Sequence, residues 1–413
     1  MPVQDIYDIG ARPPVGEVPP LMHAQVIRPE RFGRPADAFK IERVRVPALK
    51  PNEVLVCVMA AGINYNNVWA ALGQPLNVVD LHKREDPSED FHIGGSDAAG
   101  IVYAVGGEVR NVSAGDAVVV HAGYWDANDP YIRAGGDPAL STTMKVWGYE
   151  TNWGSFAQFC KVQDHQCLPK PAHLTWEQAA SYMLVGATAY RMLNGWPEHA
   201  VRPNDVVLIW GAAGGLGSMA IQITKHLGGV PIAVVSSDER GEYCKTLGAR
   251  GYINRTHFKH WGLPPDFDDA AAYGEWFQGV RGFGRALWDA LGERRNPRIV
   301  FEHTGQDTIP TSIFVCDNGG MVVTCAGTTG YAGVVDVRYL WMRQKRFQGS
   351  HLNNDVQAAA VNELVAQGKL HPAAGAVYPF ETIGQSHQLM YENTAPSGKM
   401  VHLIGAARVG LRE

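Results

Sequence analysis

Short apolar runs broken by glycine dominate the first third of the chain: VLVCVMAAGI over 54–63, GIVYAVG over 100–106 and GDAVVVHAG over 115–123. β-Branched residues at this density, punctuated by turn-forming glycine, predict the strands of a barrel-like β domain. Residues 122–147, AGYWDANDPYIRAGGDPALSTTMKVW, mix Gly, Asp, Pro and aromatics without a period and read as a long loop of the kind that often carries function. The pattern changes near Thr175. EQAASYMLVGATAYRML places apolar residues at helical spacing, and DVVLIW follows as a short, fully apolar strand. Next come a glycine-rich turn, the helical SMAIQITKHLG, the strand PIAVVSS, a helical stretch ending in CKTLGA and a strand-like GYINR. This βαβαβ order predicts an α/β unit, a doubly wound parallel sheet with helices on both faces. Residues 256–297 read as a polar, aromatic insertion with short helices. Strands resume at RIVFEH and GGMVVTCAG, and the C-terminal stretch from about 361 mixes a helix with short strands.

At 413 residues the chain exceeds one ordinary core, and two domains are expected. Charged residues make up 19% and apolar residues 46%, which excludes disorder as a description of the whole. A net charge of -5 gives no broad electrostatic reason to bind nucleic acid or an anionic membrane. The opening MPVQDIYDIG lacks a signal-like apolar core, and no apolar run approaches the roughly 18 residues of a membrane span, so the chain is read as cytoplasmic. Its six cysteines are scattered without a CxxC, which points to reduced, buried thiols rather than disulfides or structural zinc.

The turn after DVVLIW reads Gly211-Ala212-Ala213-Gly214-Gly215-Leu216-Gly217 and leads straight into a helix. Small residues let backbone approach a pyrophosphate, and a helix N-terminus supplies free N–H groups to hold it. Gly211, Ala213, Gly214, Gly215, Leu216 and Gly217 are therefore the candidate cofactor cradle. The second strand ends in Ser236-Ser237, about 20 residues on, where an NAD enzyme often has an acid for the ribose. Hydroxyls at Ser236 and Ser237, with Arg240 and with Lys225 or Lys245 nearby, accept a 2′-phosphate that a carboxylate would repel, so NADPH is favoured. The adjacent Asp238 and Glu239 weigh the other way.

A β domain followed by this nucleotide unit, with the C-terminus returning to the first, resembles the medium-chain dehydrogenase/reductase superfamily. The resemblance implies a GroES-like catalytic domain over 1–183 and 361–413 and a Rossmann NADPH-binding domain over 184–360. Where zinc members carry a Cys ligand this chain reads Gly62-Ile63-Asn64-Tyr65-Asn66-Asn67, and where they carry Gly-His-Glu it reads Gly94-Gly95-Ser96-Asp97. Amides and a Ser-Asp pair replace thiolate and imidazole poorly, so no metal is expected. Without a Lewis acid, the natural reaction is hydride addition to a carbon already activated by conjugation.

Longer runs narrow the resemblance. Asn64 to Trp69, Trp147-Gly148-Tyr149-Glu150-Thr151-Asn152, Phe301-Glu302-His303, Arg338 to Arg346 and Gly349-Ser350-His351 are similar to crotonyl-CoA carboxylase/reductases, and the similarity covers nearly the whole chain. That family implies capture of the reduced substrate's enolate by CO2, giving ethylmalonyl-CoA from crotonyl-CoA. It implies a gas pocket of an Asn, a Glu and a His, which fall on Asn66, Glu150 and His351, with Tyr149 beside them. Asn64 and Asn67 are adjacent candidates; the register two residues after the lost zinc ligand selects Asn66. An amide N–H polarises a CO2 oxygen, while a carboxylate and an imidazole hold a water donating to the other. Trp69, Phe91, Tyr149, Trp153 and Trp341 are candidate walls against water. Arg338 is the first choice for the CoA phosphates. The family also implies a homotetramer. Two departures stand out: Thr304 occupies a position where many relatives have Pro, and the 122–147 loop differs in length and sequence. The rival readings are an enoyl-CoA reductase that protonates its enolate and a non-enzymatic NADPH-binding protein.

Overall fold

The apolar run at 54–63 forms the strand Glu53–Gly62, buried along its whole length, in a computed structural model that describes residues 4–413. Its burial follows from its place inside a seven-stranded sheet. The spatial order is Cys167–Pro169, Ala117–Val120, Asp97–Val105, Glu53–Gly62, Lys399–Leu403, Ala374–Pro379, with Phe159–Gln163 also pairing with Glu53–Gly62. Successive residues point to opposite faces, so Val54, Val56 and Val58 enter a core with Trp147, Tyr149 and Phe156. Leu55 and Cys57 enter a second core with Met22, Tyr103 and Phe159. Register shifts between Leu55 and Val56 and between Val58 and Ala60 add local twist, which a closing sheet needs.

By contact density the chain divides into two units. The first takes the chain up to Ala187, then Leu352–Gly368 and Pro372–Glu413; the second is Thr188–His351 with Lys369–His371. The second holds a six-stranded parallel sheet in the order Gly251–Asn254, Val230–Val235, Val206–Ile209, Ile299–Glu302, Met321–Thr324, Arg346–Gly349. Numbered along the chain, this is the doubly wound order that reverses direction between Val206–Ile209 and Ile299–Glu302, where such sheets bind nucleotides. The GroES-like and Rossmann-type architecture expected from the sequence is the one found.

The region 256–297 corrects the expectation of short helices. It contains one 22-residue helix, Ala270–Leu291, burying Trp276, Val280, Phe283, Leu287 and Leu291 at intervals of three and four. Gly274, Gly279, Gly282 and Gly284 disguise it, because glycine is a poor helix former and its interior presence argues for a loop. Packing overrides that propensity: Phe283 stacks on Trp210 at 5.4 Å. The 122–147 loop holds only short pieces, among them the helix Pro130–Arg133 and the strand pair Gly123–Tyr124 and Lys145–Val146. All six cysteines are unpaired and five are buried. Among the described residues, no helix is long and apolar enough to cross a membrane.

The returning segment is pinned to the first unit at once. Leu352 is buried in the core, and Asn354 caps the helix Asp355–Ala366 while donating to Asp137 at 2.8 Å. Asp355 accepts from His121 Nε2 and from His165 Nδ1, each at 2.9 Å. Burial works against its charge, but hydrogen bonds from both imidazoles hold the carboxyl well below the usual range. The stabilisation is therefore complete above about pH 4 and lost as pH falls through the folded-state value. Asp355→Asn is expected to cost about 1 kcal/mol near neutrality, a modest figure because the carboxylate is half exposed. Urea unfolding of both proteins should show that difference shrinking in acid.

Candidate active site

The site begins where the strand Glu53–Gly62 ends. After Ile63, Asn64 and Tyr65 the chain turns into the helix Asn66–Leu72, which places Asn66 at its first position, half-buried. Asn66 Nδ2 donates to Ser96 Oγ at 2.8 Å, and its Oδ1 accepts from Asn67 Nδ2 at 2.9 Å. Of its two amide N–H groups, Ser96 therefore takes one. Asn67 Oδ1 in turn accepts from Gly95 N–H at 3.3 Å, so the helix start and the 94–96 turn are tied together.

Glycine brings a third segment against that turn. Gly148 has φ +69, and a Cβ there would overlap the carbonyl of Gly95. Backbone contact this close places Trp147-Gly148-Tyr149-Glu150 beside Ser96, the partner of Asn66. Tyr149 is buried, with its ring tilted against Trp69 at 6.4 Å; Trp69 lies one helical turn after Asn66 and shares its face. Glu150 is half-buried and curls onto its own turn: Oε2 accepts from Val146 N–H at 2.8 Å, while Glu150 N–H donates to Val146 O at 2.8 Å. One carboxylate oxygen is thus clamped, which fixes where the other points.

Asn66, Tyr149 and Glu150 thus come together in the first unit, whereas His351 belongs to the second, exposed just beyond the strand Arg346–Gly349. The proposed walls divide differently from expectation. Phe91 and Trp153 meet edge to face at 5.4 Å over the core of Met22 and Phe159, and Trp153 Nε1 donates to Glu89 at 2.5 Å. They pack a separate core from Tyr149. Trp341 is 67% exposed on the second unit.

The residues at the zinc-ligand positions form a closed set. Asn64 Nδ2 donates to Asp97 Oδ2 at 3.0 Å, and the ammonium of Lys399 reaches both Asp97 Oδ2, at 2.9 Å, and Asn64 Oδ1. With the carboxylate and amide oxygens already engaged by a protein ammonium and no thiolate or imidazole among them, the set does not fit zinc. His121, His165 and Asp355 form the one His/Cys/Asp/Glu group among the described residues with ligand atoms within 4.8 Å of one another. There, however, His121 Nδ1 accepts from Gly123 N–H at 3.2 Å, so the proton sits on Nε2 and is directed at Asp355. That makes a hydrogen-bonded triad. Sequence reasoning missed Lys399; the one signal was a lysine opening the short strand Lys399–Leu403, whose next two residues, Met400 and Val401, are apolar.

In the second unit, the turn after Val206–Ile209 enters the helix Gly215–His226 with Gly214 as its N-cap. Gly211 has φ +54, and a Cβ there would meet the His303 ring at 2.6 Å. A Cβ at Gly217 would lie 2.5 Å from Ala212 Cα and 2.6 Å from Gly211 O. Ala213 is buried, while Gly214 is exposed and Gly215 and Leu216 are half-buried along the opening. The bare turn and the free N–H groups of the first helical turn fit a dinucleotide pyrophosphate. Ser237 Oγ caps the helix Asp238–Leu247, accepting from Arg240 N–H at 3.3 Å; Ser236 and Arg240 are half-buried beside it. Asp238, the acid that spoke against a 2′-phosphate, is turned to Asn254 at 3.1 Å. Lys245 is engaged by Glu242 at 2.9 Å.

The Phe301-Glu302-His303 run supports this turn from behind. His303 Nε2 bonds Trp210 O at 2.9 Å. Glu302 is fully buried, and burial raises its pKa although Ser312, Thr304, Thr308 and Gly305 all donate to it. Thr304 contributes its N–H at 2.7 Å, a bond that proline cannot make. Arg338 spends Nε and Nη2 on Asp336 and Tyr273 and lies 4.8 Å over Phe267, which leaves Nη1 outside these bonds.

A GroES-like domain joined to a doubly wound nucleotide sheet defines the medium-chain dehydrogenase/reductase class. The families described as "Alcohol dehydrogenase GroES-like domain" and "Zinc-binding dehydrogenase" match residues 50–172 and 215–367. Crotonyl-CoA carboxylase/reductase of Cereibacter sphaeroides is 48% identical over 411 residues, covering 100% of this chain and 94% of that protein. Crotonyl-CoA reductase of Streptomyces avermitilis is 39% identical over 391 residues, covering 91% and 84%. The solved structure of crotonyl-CoA carboxylase/reductase AntE in complex with NADP matches with TM-score 0.93 at 56% identity, over 98% of this chain and 100% of that one. That of 2-octenoyl-CoA carboxylase reductase CinF, in complex with NADP and 2-octenoyl-CoA, matches at 0.87 and 37%, over 95% and 90%. The chain belongs to the crotonyl-CoA carboxylase/reductase family.

Proposed function

We propose that the protein is an NADPH-dependent reductive carboxylase of short α,β-unsaturated acyl-CoA esters, with crotonyl-CoA, converted to ethylmalonyl-CoA, as first choice of substrate and acrylyl-CoA, converted to methylmalonyl-CoA, as second. The single observation that carries this is the grouping of Asn66, Tyr149 and Glu150, brought together by the contact of Gly148 with the Gly95-Ser96 turn that Asn66 bonds. NADPH, when bound in the Gly211–Gly217 cradle with Ser236, Ser237 and Arg240 toward its 2′-phosphate, supplies the hydride that reaches the substrate β-carbon. The α-carbon then adds to CO2, and no proton is consumed. In this reading the Asn66 N–H not given to Ser96 polarises one CO2 oxygen. The free oxygen of Glu150 holds a water that donates to the other, and His351 is the further member of the set that the family resemblance implies. Tyr149 and Trp69 keep bulk water from the enolate. Nη1 of Arg338 meets a CoA phosphate.

A cytoplasmic homotetramer fits this reading. Val337, Trp341, Met342 and Phe347 are exposed on the second unit, next to the unpaired edge of Arg346–Gly349. Turnover in isotopically labelled bicarbonate decides the chemistry: mass analysis should find one added carboxylate per NADPH oxidised. Saturated acyl-CoA as the only product in saturating CO2 would leave the reductase reading instead.

A further inference from the structure

Lys399 is 4% exposed, and no step of the proposed reaction uses it. Burying an ammonium is costly unless it is paired and hydrogen-bonded. Here it is both. Its Nζ lies 2.9 Å from Asp97 Oδ2, itself 1% exposed, and also bonds Asn64 Oδ1. Asp97 Oδ1 accepts from Leu184 N–H at 2.8 Å, and Asn64 Nδ2 returns to Asp97 at 3.0 Å, so neither oxygen of the carboxylate is idle. Gly62 is packed closely against the pair: a Cβ there would lie 2.3 Å from Ala180 O, 3.0 Å from Lys399 Cε and 3.1 Å from Asp97 Cβ.

The two groups that Lys399 joins flank Asn66 on both of its attachments. Asn64 is two residues before it on the same turn, and Asp97 follows Ser96, the acceptor of the Asn66 amide. A cation bonded to both Asn64 and Asp97 therefore fixes the distance between the chain that carries Asn66 and the hydroxyl that orients it. We propose that Lys399 is the built-in cation of this site and a positioning residue that aims Asn66 at CO2. The inference rests on the reading of Asn66 as the CO2 donor. It adds that the aim is set by an ion pair in the GroES-like unit.

The test uses the full-length enzyme with crotonyl-CoA, NADPH and graded bicarbonate, scoring ethylmalonyl-CoA against butyryl-CoA. Lys399→Met strands a buried carboxylate and can fail to fold, so the double variant Asp97→Asn/Lys399→Met, which removes both charges, is measured with it. Its fold is checked by circular dichroism and its thermal midpoint. The folded double variant should keep NADPH oxidation within about threefold while the carboxylated fraction falls about tenfold and the KM for bicarbonate rises, the scale expected when a reacting group is misplaced by a fraction of an ångström. A merely structural ion pair lowers both products alike. An unchanged product ratio in the folded double variant overturns the proposal while leaving the role of Asn66 standing. Asn66→Ala is the companion measurement: an unchanged ratio there overturns the reading of Asn66, and the inference with it.

Discussion

Glu150→Gln should divert turnover from ethylmalonyl-CoA to butyryl-CoA. The amide oxygen keeps the bond from Val146 N–H, so the 147–150 turn stays in place, while the charge proposed to order a water beside CO2 is gone. Loss of one oriented donor at a developing charge typically costs about a hundredfold in that step. Carboxylation should therefore fall by at least about tenfold, with NADPH oxidation reduced much less because protonation rescues the enolate. His351→Ala should give the same shift. Product masses at saturating bicarbonate provide the measurement; a proportional fall in both products would mean that these side chains serve something other than CO2 placement.

Gly217→Val should abolish useful NADPH binding. Its Cβ would fall 2.5 Å from Ala212 Cα, 2.6 Å from Gly211 O and 2.8 Å from Ala212 C, all backbone that cannot move without opening the cradle. A rise of about a hundredfold in the NADPH Kd is expected, equivalent to about 2.7 kcal/mol. Fluorescence titration of the reduced nicotinamide reads it directly. Gly274→Ala, where a Cβ meets nothing within 4 Å, is the matched control and should bind as the parent does.

Much of the fold is legible in the sequence itself. The Val-rich strands and the glycine turn announce themselves because burial in a sheet and close approach to phosphate each demand a narrow set of side chains. The helix Ala270–Leu291 was not legible, since its glycines oppose helix on intrinsic grounds and only the stacking of Phe283 on Trp210 settles the matter. Asn66, Tyr149 and Glu150 were reached through resemblance. Their grouping depends on Gly148 touching Gly95, a long-range backbone contact with no local signature. Lys399 stayed hidden for the same reason, as its partners are more than 300 residues away in sequence. Conversely, Phe91 and Trp153 looked like active-site walls because an aromatic side chain carries no mark of which core it fills.

The chain passes from the second unit back to the first between His351 and Leu352. A recombinant protein that borrowed only its nucleotide-binding half from a relative, joined at that seam, would inherit the donor's histidine while keeping its own asparagine and glutamate. Under the roles proposed above, such hybrids exchange the coenzyme cradle and one member of the CO2 site in a single cut. The junction is best moved beyond Asp355, so that His351 arrives with the segment that anchors it.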